Sequence, residues 1–209
     1  MSVTLSNRFE RRRAGTRQAL VRAARQILAE SGDTSASIQA IAGRADVGFG
    51  SFYNHFDSKR DLFGVALEDA MEEFGQAIDE RLHGVDDPAE RLAGGLRLSA
   101  RLAESHPEIM RIVCHSELGR ICAGRGLAPR MRLDVEQGIA SDRFTVVDPV
   151  IALSALNGSL LALVELWLSK PQVDIDQAAA TMAEVLLHML GLSPEEAHDV
   201  ARGPLSAAV

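Results

Sequence analysis

The sequence predicts an all-α chain of about nine or ten helices, with a short N-terminal group followed by a larger helical part. Three observations carry that prediction. Apolar residues recur at three- and four-residue spacing along most of the 209 residues. Aromatic residues make up only 4% of the chain, while Ala, Leu and Arg abound. Most prolines, often preceded by Asp or Ser, stand where a helix would begin.

Residues 1–15 read as a basic flexible arm carrying Arg8 and the run Arg11-Arg12-Arg13. Such a run is either a solvated charged tail or an arm that reaches phosphates or a minor groove. Thr16 to Ser31 is an amphipathic helix. Leu20, Ala23, Ala24, Ile27 and Leu28 form its apolar stripe, and Gly32 ends it. Arg17, near its start, lies off the stripe and is placed to touch a phosphate.

Ser37 to Leu62 is the stretch that organises the rest. Ile38, Ile41, Ala42 and Ala45 share a helical face, with Ser37 placed to cap the first free amides. Arg44 to Gly48 breaks the pattern. Asp46 tolerates a left-handed backbone, and Gly48 can open a new helix. The second helix is expected from Phe49 to Phe56. Phe52 and Phe56, four apart, anchor it inward. Gly50, Ser51, Tyr53, Asn54 and His55 project elsewhere as small or hydrogen-bonding groups. A short helix of this make suits a major groove. Ser58 then caps a third helix, with Asp61 favourable in its first turn.

From Leu62 to about Leu82 a longer helix buries Leu62, Phe63, Ala66, Leu67, Ala70, Met71, Phe74 and Ile78. Asp87-Pro88 starts a helix to about Ser105, and His106-Pro107 starts another. Glu117 to Ala128, interrupted by Gly119, Gly124 and Gly126, reads as a loop or broken helix before a helix through Met131, Leu133, Val135 and Ile139. Asp148-Pro149 caps a helix, Val150 to Leu168, that is apolar nearly all round. Its length approaches a membrane span, but Asn157 and Glu165 oppose that. Its small residues Ala155, Gly158, Ser159 and Ala162 suit close helix packing at a subunit interface. Asp174 caps a helix with Ile175, Ala178, Met182, Val185, Leu186 and Met189 on one face, and Gly191 stops it. Ser193-Pro194-Glu195-Glu196 is a capping box for a last helix to about Arg202.

Formal net charge is −7, yet residues 1–66 carry ten Arg or Lys against six Asp or Glu. Positive charge therefore gathers where the helix-turn-helix is expected, as a nucleic-acid footprint should. Cys114 and Cys122 show no metal-ligand or disulfide pattern, and the polar, arginine-rich start has no apolar core segment. These features lead us to expect a cytoplasmic protein without a membrane segment. A metal enzyme built on a helical bundle needs paired Glu-x-x-His spacings. Glu195-Glu196-Ala197-His198 supplies one, and no second is found. A non-DNA-binding adaptor on the same scaffold is the other alternative.

The run IAGRADVGFGSFYNHFDSKRDLF resembles the DNA-binding signature of the TetR family of transcriptional repressors. The matching positions are Ile41, Ala42, Val47, Gly50, Tyr53, His55, Phe56, Ser58, Lys59 and Leu62. Phe49, where the family often has proline, and Asp46, where glycine is commoner, depart from it. The resemblance implies a DNA-binding domain over 16–67 and a regulatory, ligand-binding and dimerisation domain over 68–209. It implies phosphate contacts from Ser37, Tyr53, His55 and Lys59, and close backbone approach at Gly48 and Gly50. Ser51 and Asn54 are then the best base readers, because Asn pairs well with adenine. Phe49 would touch a thymine methyl or simply pack, and the sequence leaves both open. A homodimer is expected on a palindromic double-stranded operator, with the helices from Val150 and Asp174 joining the copies. Ala155, Gly158, Ser159, Ala162, Met182 and Leu186 are the expected interface. The family also implies release of the operator by a small-molecule effector of unknown identity, and no other cofactor. Met110, Cys114, His115 and Trp167 are the candidate residues for holding that effector.

Overall fold

The computed structural model describes residues 3–31, 34–115 and 126–205, except the side chains of 3–9, 108, 112 and 115. The described residues form ten helices and no strand. They are α1 (Val3–Ser31), α2 (Ile38–Arg44), α3 (Phe49–Phe52), α4 (Lys59–Arg81) and α5 (Pro88–Ser105). Then come α6 (Pro107–His115), α7 (Leu127–Ala140), α8 (Pro149–Ser169), α9 (Ile175–Met189) and α10 (Pro194–Arg202).

The helix starts follow from capping chemistry. Ser37 accepts the Ala40 N–H at 3.1 Å, Ser58 the Asp61 N–H at 3.1 Å, and Asp87 the Ala89 N–H at 2.9 Å. Asp148, Asp174 and Ser193 do the same for α8, α9 and α10. Each such cap stabilises its helix by about 1 kcal/mol.

The N-terminal arm is corrected by the structure. α1 does not begin at Thr16 but runs from Val3, so Arg11, Arg12 and Arg13 are helical. Nothing in the stretch stops a helix: it has no proline, arginine is a good helix former, and the lone Gly15 costs about 1 kcal/mol. The Thr16 hydroxyl even donates to the Arg12 carbonyl, one turn back across the expected boundary.

Two other boundaries move. The regular part of α3 ends at Phe52 rather than Phe56. The His55 N–H bonds the Phe52 carbonyl three residues back, tightening the last turn, while the Phe56 N–H still reaches the same carbonyl at 3.1 Å. α7 already begins at Leu127; the rest of the expected break, 117–125, lies outside the described residues.

α1 packs on α2 and α4, and α2 on α3. α5 packs on α7 and α9, α9 also on α10, and α8 on α6, α7 and α9. α4 belongs to both ends. Leu62, Phe63, Ala66 and Leu67 meet Leu20, Ile41, Phe52 and Phe56 in the same continuous core that includes Met71, Leu96, Val135 and Leu156. The chain therefore has no soft joint at residue 67; a rigid helix carries one end into the other.

α9 offers a second correction. Its buried side is Ile175, Ala179, Ala180, Ala183, Leu186 and Leu187. Leu186 is 3% exposed and belongs to the protomer's own core, so it is not available to a second copy. Val185 and Met189 are the exposed apolar residues instead, at 60% and 42%. The sequence holds two apolar stripes here, and packing on α5 and α10 selects which one turns inward.

Candidate nucleic-acid interface

The second helix is pinned from behind as its spacing requires. Phe52 and Phe56 are 0% and 2% exposed, with ring centroids 6.0 Å apart. Full burial of such a ring contributes about 1.5–3 kcal/mol. Asp46 takes the left-handed conformation, with φ 53°, and this reverses the chain between α2 and α3.

The outer side stays open to solvent. Phe49 and Tyr53 are 49% and 57% exposed and lean edge-to-face on each other at 5.9 Å. Phe49 is thus no part of the core. Gly50 is exposed, and a Cβ there would meet nothing within 4 Å. The protomer's own packing therefore does not require the missing side chain. Gly48 stands at the helix start with ordinary extended backbone, φ −64° and ψ 143°.

Ser51, Asn54 and His55 share a concavity of about 410 Å³ with Arg12, Arg13 and Thr16. Sequence reasoning left Arg12 and Arg13 undecided and did not single out Thr16. Only the unbroken helix of α1 sets them beside the polar face of α3. The readable signal was the missing helix breaker before Thr16. His55 has its pKa lowered by partial burial first, then by the Arg13 and Arg17 guanidiniums. The free protein thus presents a neutral imidazole amid fixed positive charge.

Arg17 lies with its guanidinium carbon 5.1 Å from the centre of the Phe56 ring. Lys59 donates one ammonium hydrogen to the Ser35 carbonyl at 2.8 Å, which steadies the amine beside α2 and leaves two further donors. The Ser37 hydroxyl oxygen serves the α2 cap, and its own hydrogen remains to donate. Ser37, Tyr53 and Lys59 are not part of the concavity that Ser51, Asn54 and His55 line. Arg44, by contrast, pairs with Glu30 at 2.6 Å.

A second feature lies in the larger part. α4 to α8 line a half-open cavity of about 490 Å³, with Met71, Phe74, Met110, Cys114, Met131 and Asn157 among its lining. Met110 and Cys114 are thus brought together. Trp167 is not part of this lining; it packs on Ala100, Leu163, Ile175 and Ala179. The His115 side chain lies outside the described residues.

α8 leaves the apolar residues Val150, Ile151, Leu161 and Leu166 exposed, as α9 leaves Val185 and Met189. Ala162 and Gly158 are exposed on it, Ala155, Ser159 and Met182 partly so. By length and composition α8 is the single helix among the described residues apolar enough to cross a membrane. Among the described residues no group of three or more His, Cys, Asp or Glu could hold a metal. His198 of the Glu-x-x-His spacing lies 3.4 Å from Glu184 on α9.

Residues 20–66 match the family described as bacterial regulatory proteins, tetR family, and residues 87–203 match the tetracyclin repressor-like C-terminal domain. The HTH-type transcriptional repressor DhaR of Mycobacterium sp. (strain GP1) is 34% identical over 79 residues, which is 38% of this chain and 40% of that one. The chain spans between 33% and 54% of the length of the curated regulators it matches. The crystal structure of RolR in complex with resorcinol is 33% identical, with a TM-score of 0.80, covering 94% of this chain and 97% of that one. FadR from Bacillus subtilis, solved with stearoyl-CoA, shares the fold at 19% identity, with a TM-score of 0.68 over 82% of this chain and 98% of that one.

Proposed function

Because the chain belongs to the TetR family of bacterial regulators, we propose that it is a sequence-specific DNA-binding transcriptional repressor, released from a palindromic operator by a small molecule. The observation that carries this reading is the outward face of α3. Ser51, Asn54 and His55 lie open beside Arg12 and Arg13, while Phe52 and Phe56 hold the helix from within. Guanidiniums and amines supply affinity through phosphates, and Asn54 and Ser51 supply discrimination at base edges. The larger part, 68–209, takes the regulatory role, with α4 shared between it and the DNA-binding part, 16–67.

One such helix makes few contacts, so two copies reading half-sites about 34–36 Å apart complete the site. The exposed apolar surface of α8 and α9 supports a homodimer, which also accounts for an apolar helix without any bilayer. A cytoplasmic regulator is the setting these features suit. The likeness to RolR, crystallised with resorcinol, supports the α4–α8 cavity as the effector site.

The test is a gel shift on the DNA upstream of the protein's own coding sequence. Lys59→Ala should weaken binding to all sequences alike and lower the salt slope by about 1. Asn54→Ala should instead change which sequences are preferred. A wild-type protein that retards no upstream fragment more than random DNA would sink the reading.

A further inference from the structure

The α4–α8 cavity has a wall of one chemical kind. Among the described residues no Asp, Glu, Lys, Arg or His lines it. A carboxylate entering would shed its water and find no counter-charge among those lining residues. The polar groups that do line it share a bias. The Ser99 and Ser154 hydroxyls donate back to the Gly95 and Val150 carbonyls of their own helices. The Asn157 amide nitrogen donates to the Leu153 carbonyl at 2.8 Å, which fixes the side chain's orientation and leaves its oxygen as an acceptor. Burial, and then nearby Glu165, push the Cys114 thiol up to about 11, so it stays neutral at physiological pH. The wall therefore offers the Asn157 Oδ1 as an acceptor, beside the second Asn157 amide hydrogen and the Cys114 thiol as donors. Its apolar part is rich in sulfur, with Met71, Met110 and Met131 around Phe74. Thioethers and a phenyl ring together suit a flat aromatic body.

We propose that this cavity takes an uncharged hydroxylated aromatic compound, whose ring packs among the three methionines and Phe74 and whose hydroxyl donates to Asn157 Oδ1. This deepens the effector site of the reading above and rests on it. Asn157 is then the residue that distinguishes the hydroxylated ring from the bare hydrocarbon. Anionic ligands such as aromatic acids find no counter-charge among the described lining residues and should bind more weakly.

Three probes that share one bicyclic ring test the proposal on the full chain without DNA: 2-naphthol, naphthalene and 2-naphthoate. A cavity of this size admits such a ring. Binding is read by titration calorimetry at pH 7, with naphthalene scored by displacement of 2-naphthol. We expect 2-naphthol to bind about tenfold more tightly than naphthalene, the worth of one good hydrogen bond, and 2-naphthoate to be the weakest. Asn157→Leu should erase the preference for 2-naphthol over naphthalene while naphthalene still binds, which shows that the variant is folded. The proposal is overturned if 2-naphthoate equals or beats 2-naphthol, if no probe binds, or if Asn157→Leu keeps the preference. Operator release is a separate measurement. Should 2-naphthol bind with the expected preferences and leave the DNA complex intact, the regulatory reading falls and the cavity's chemistry stands.

Discussion

Arg130 on α7 grips Glu72 on α4 at 3.0 Å and reaches Asp79, two turns further along the same helix, at 2.7 Å. Its guanidinium also donates to the Gly126 carbonyl at 2.6 Å, and the Gly126 N–H donates to Glu72 at 3.2 Å. The start of α7 is thereby bolted to the helix that carries the DNA-binding end. Met71 and Phe74 of α4 and Met131 of α7 line the cavity beside this clamp. A ligand that spreads α4 from α7 has to work against it.

The clamp gives Glu72 a pH signature. Hydrogen bonds from Arg130, then from the Gly126 N–H, lower its pKa from 4.5 to about 2. A carboxyl whose folded pKa is depressed stabilises the fold fully above its unfolded value. That contribution is lost as pH falls from 4.5 towards 2. Arg130→Met should cost roughly 1 kcal/mol at pH 7, a figure reduced for partial exposure. The gap to wild type should narrow in urea unfolding repeated near pH 3. An equal gap at both pH values would mean the loss comes from packing and not from charge.

Gly138 and Phe144 set a different constraint. The Phe144 ring, 3% exposed, lies where a Cβ on Gly138 would sit, and the Phe144 N–H bonds the Gly138 carbonyl at 2.9 Å. Gly138→Ala should force the ring from its place and cost about 1–3 kcal/mol, seen as a lower melting temperature. Gly158→Ala meets nothing within 4 Å and should leave the protomer at least as stable. Similar losses at both positions would show that the ring gives way easily.

The same open space at Gly158 makes it a clean probe of assembly. Gly158 is exposed, a Cβ there meets nothing in the protomer, and Gly158→Leu improves helix propensity, so loss of assembly with an unchanged melting temperature reports on the partner. Sedimentation should show the dimer weakened by about tenfold or more. Val185→Glu, on the neighbouring exposed stripe of α9, should act in the same direction. Two unchanged profiles would move the interface elsewhere.

His55 should make operator binding depend on pH. Burial and the Arg13 and Arg17 charges lower its pKa in the free protein. A nearby phosphate would oppose those charges and raise it, so the complex binds more protons than the free protein. Affinity is then gained as pH falls through the bound pKa and levels off below the free one. Fluorescence anisotropy at fixed salt should show tighter binding at pH 6 than at pH 8, and His55→Gln should flatten the curve. If the variant keeps the slope, another group carries the proton.

Much of the architecture was legible because it is written locally. Ser37, Ser58, Asp87, Asp148, Asp174 and Ser193 each cap the helix that their position announced. Phe52 and Phe56 turn inward because four-residue spacing puts them on one face. The polar face of α3 was legible for the same reason. The reach of α1 was less legible because a run of charge suits a solvated tail as well as a helix, and arginine favours a helix wherever nothing breaks it.

Capping, periodicity and turn chemistry act over a few residues, so the chain by itself determined where most of its helices begin and which face of α3 is polar. Which of two apolar stripes on α9 lies inside, and that Leu186 belongs to the core while Val185 faces out, depended on α5 and α10 arriving from elsewhere. The same holds for Arg12 and Asn54, which line one concavity, and for Met110 and Asn157, which line one cavity. Such meetings are long-range packing outcomes. A helix fixes the direction of its side chains, and only the tertiary structure decides what they meet.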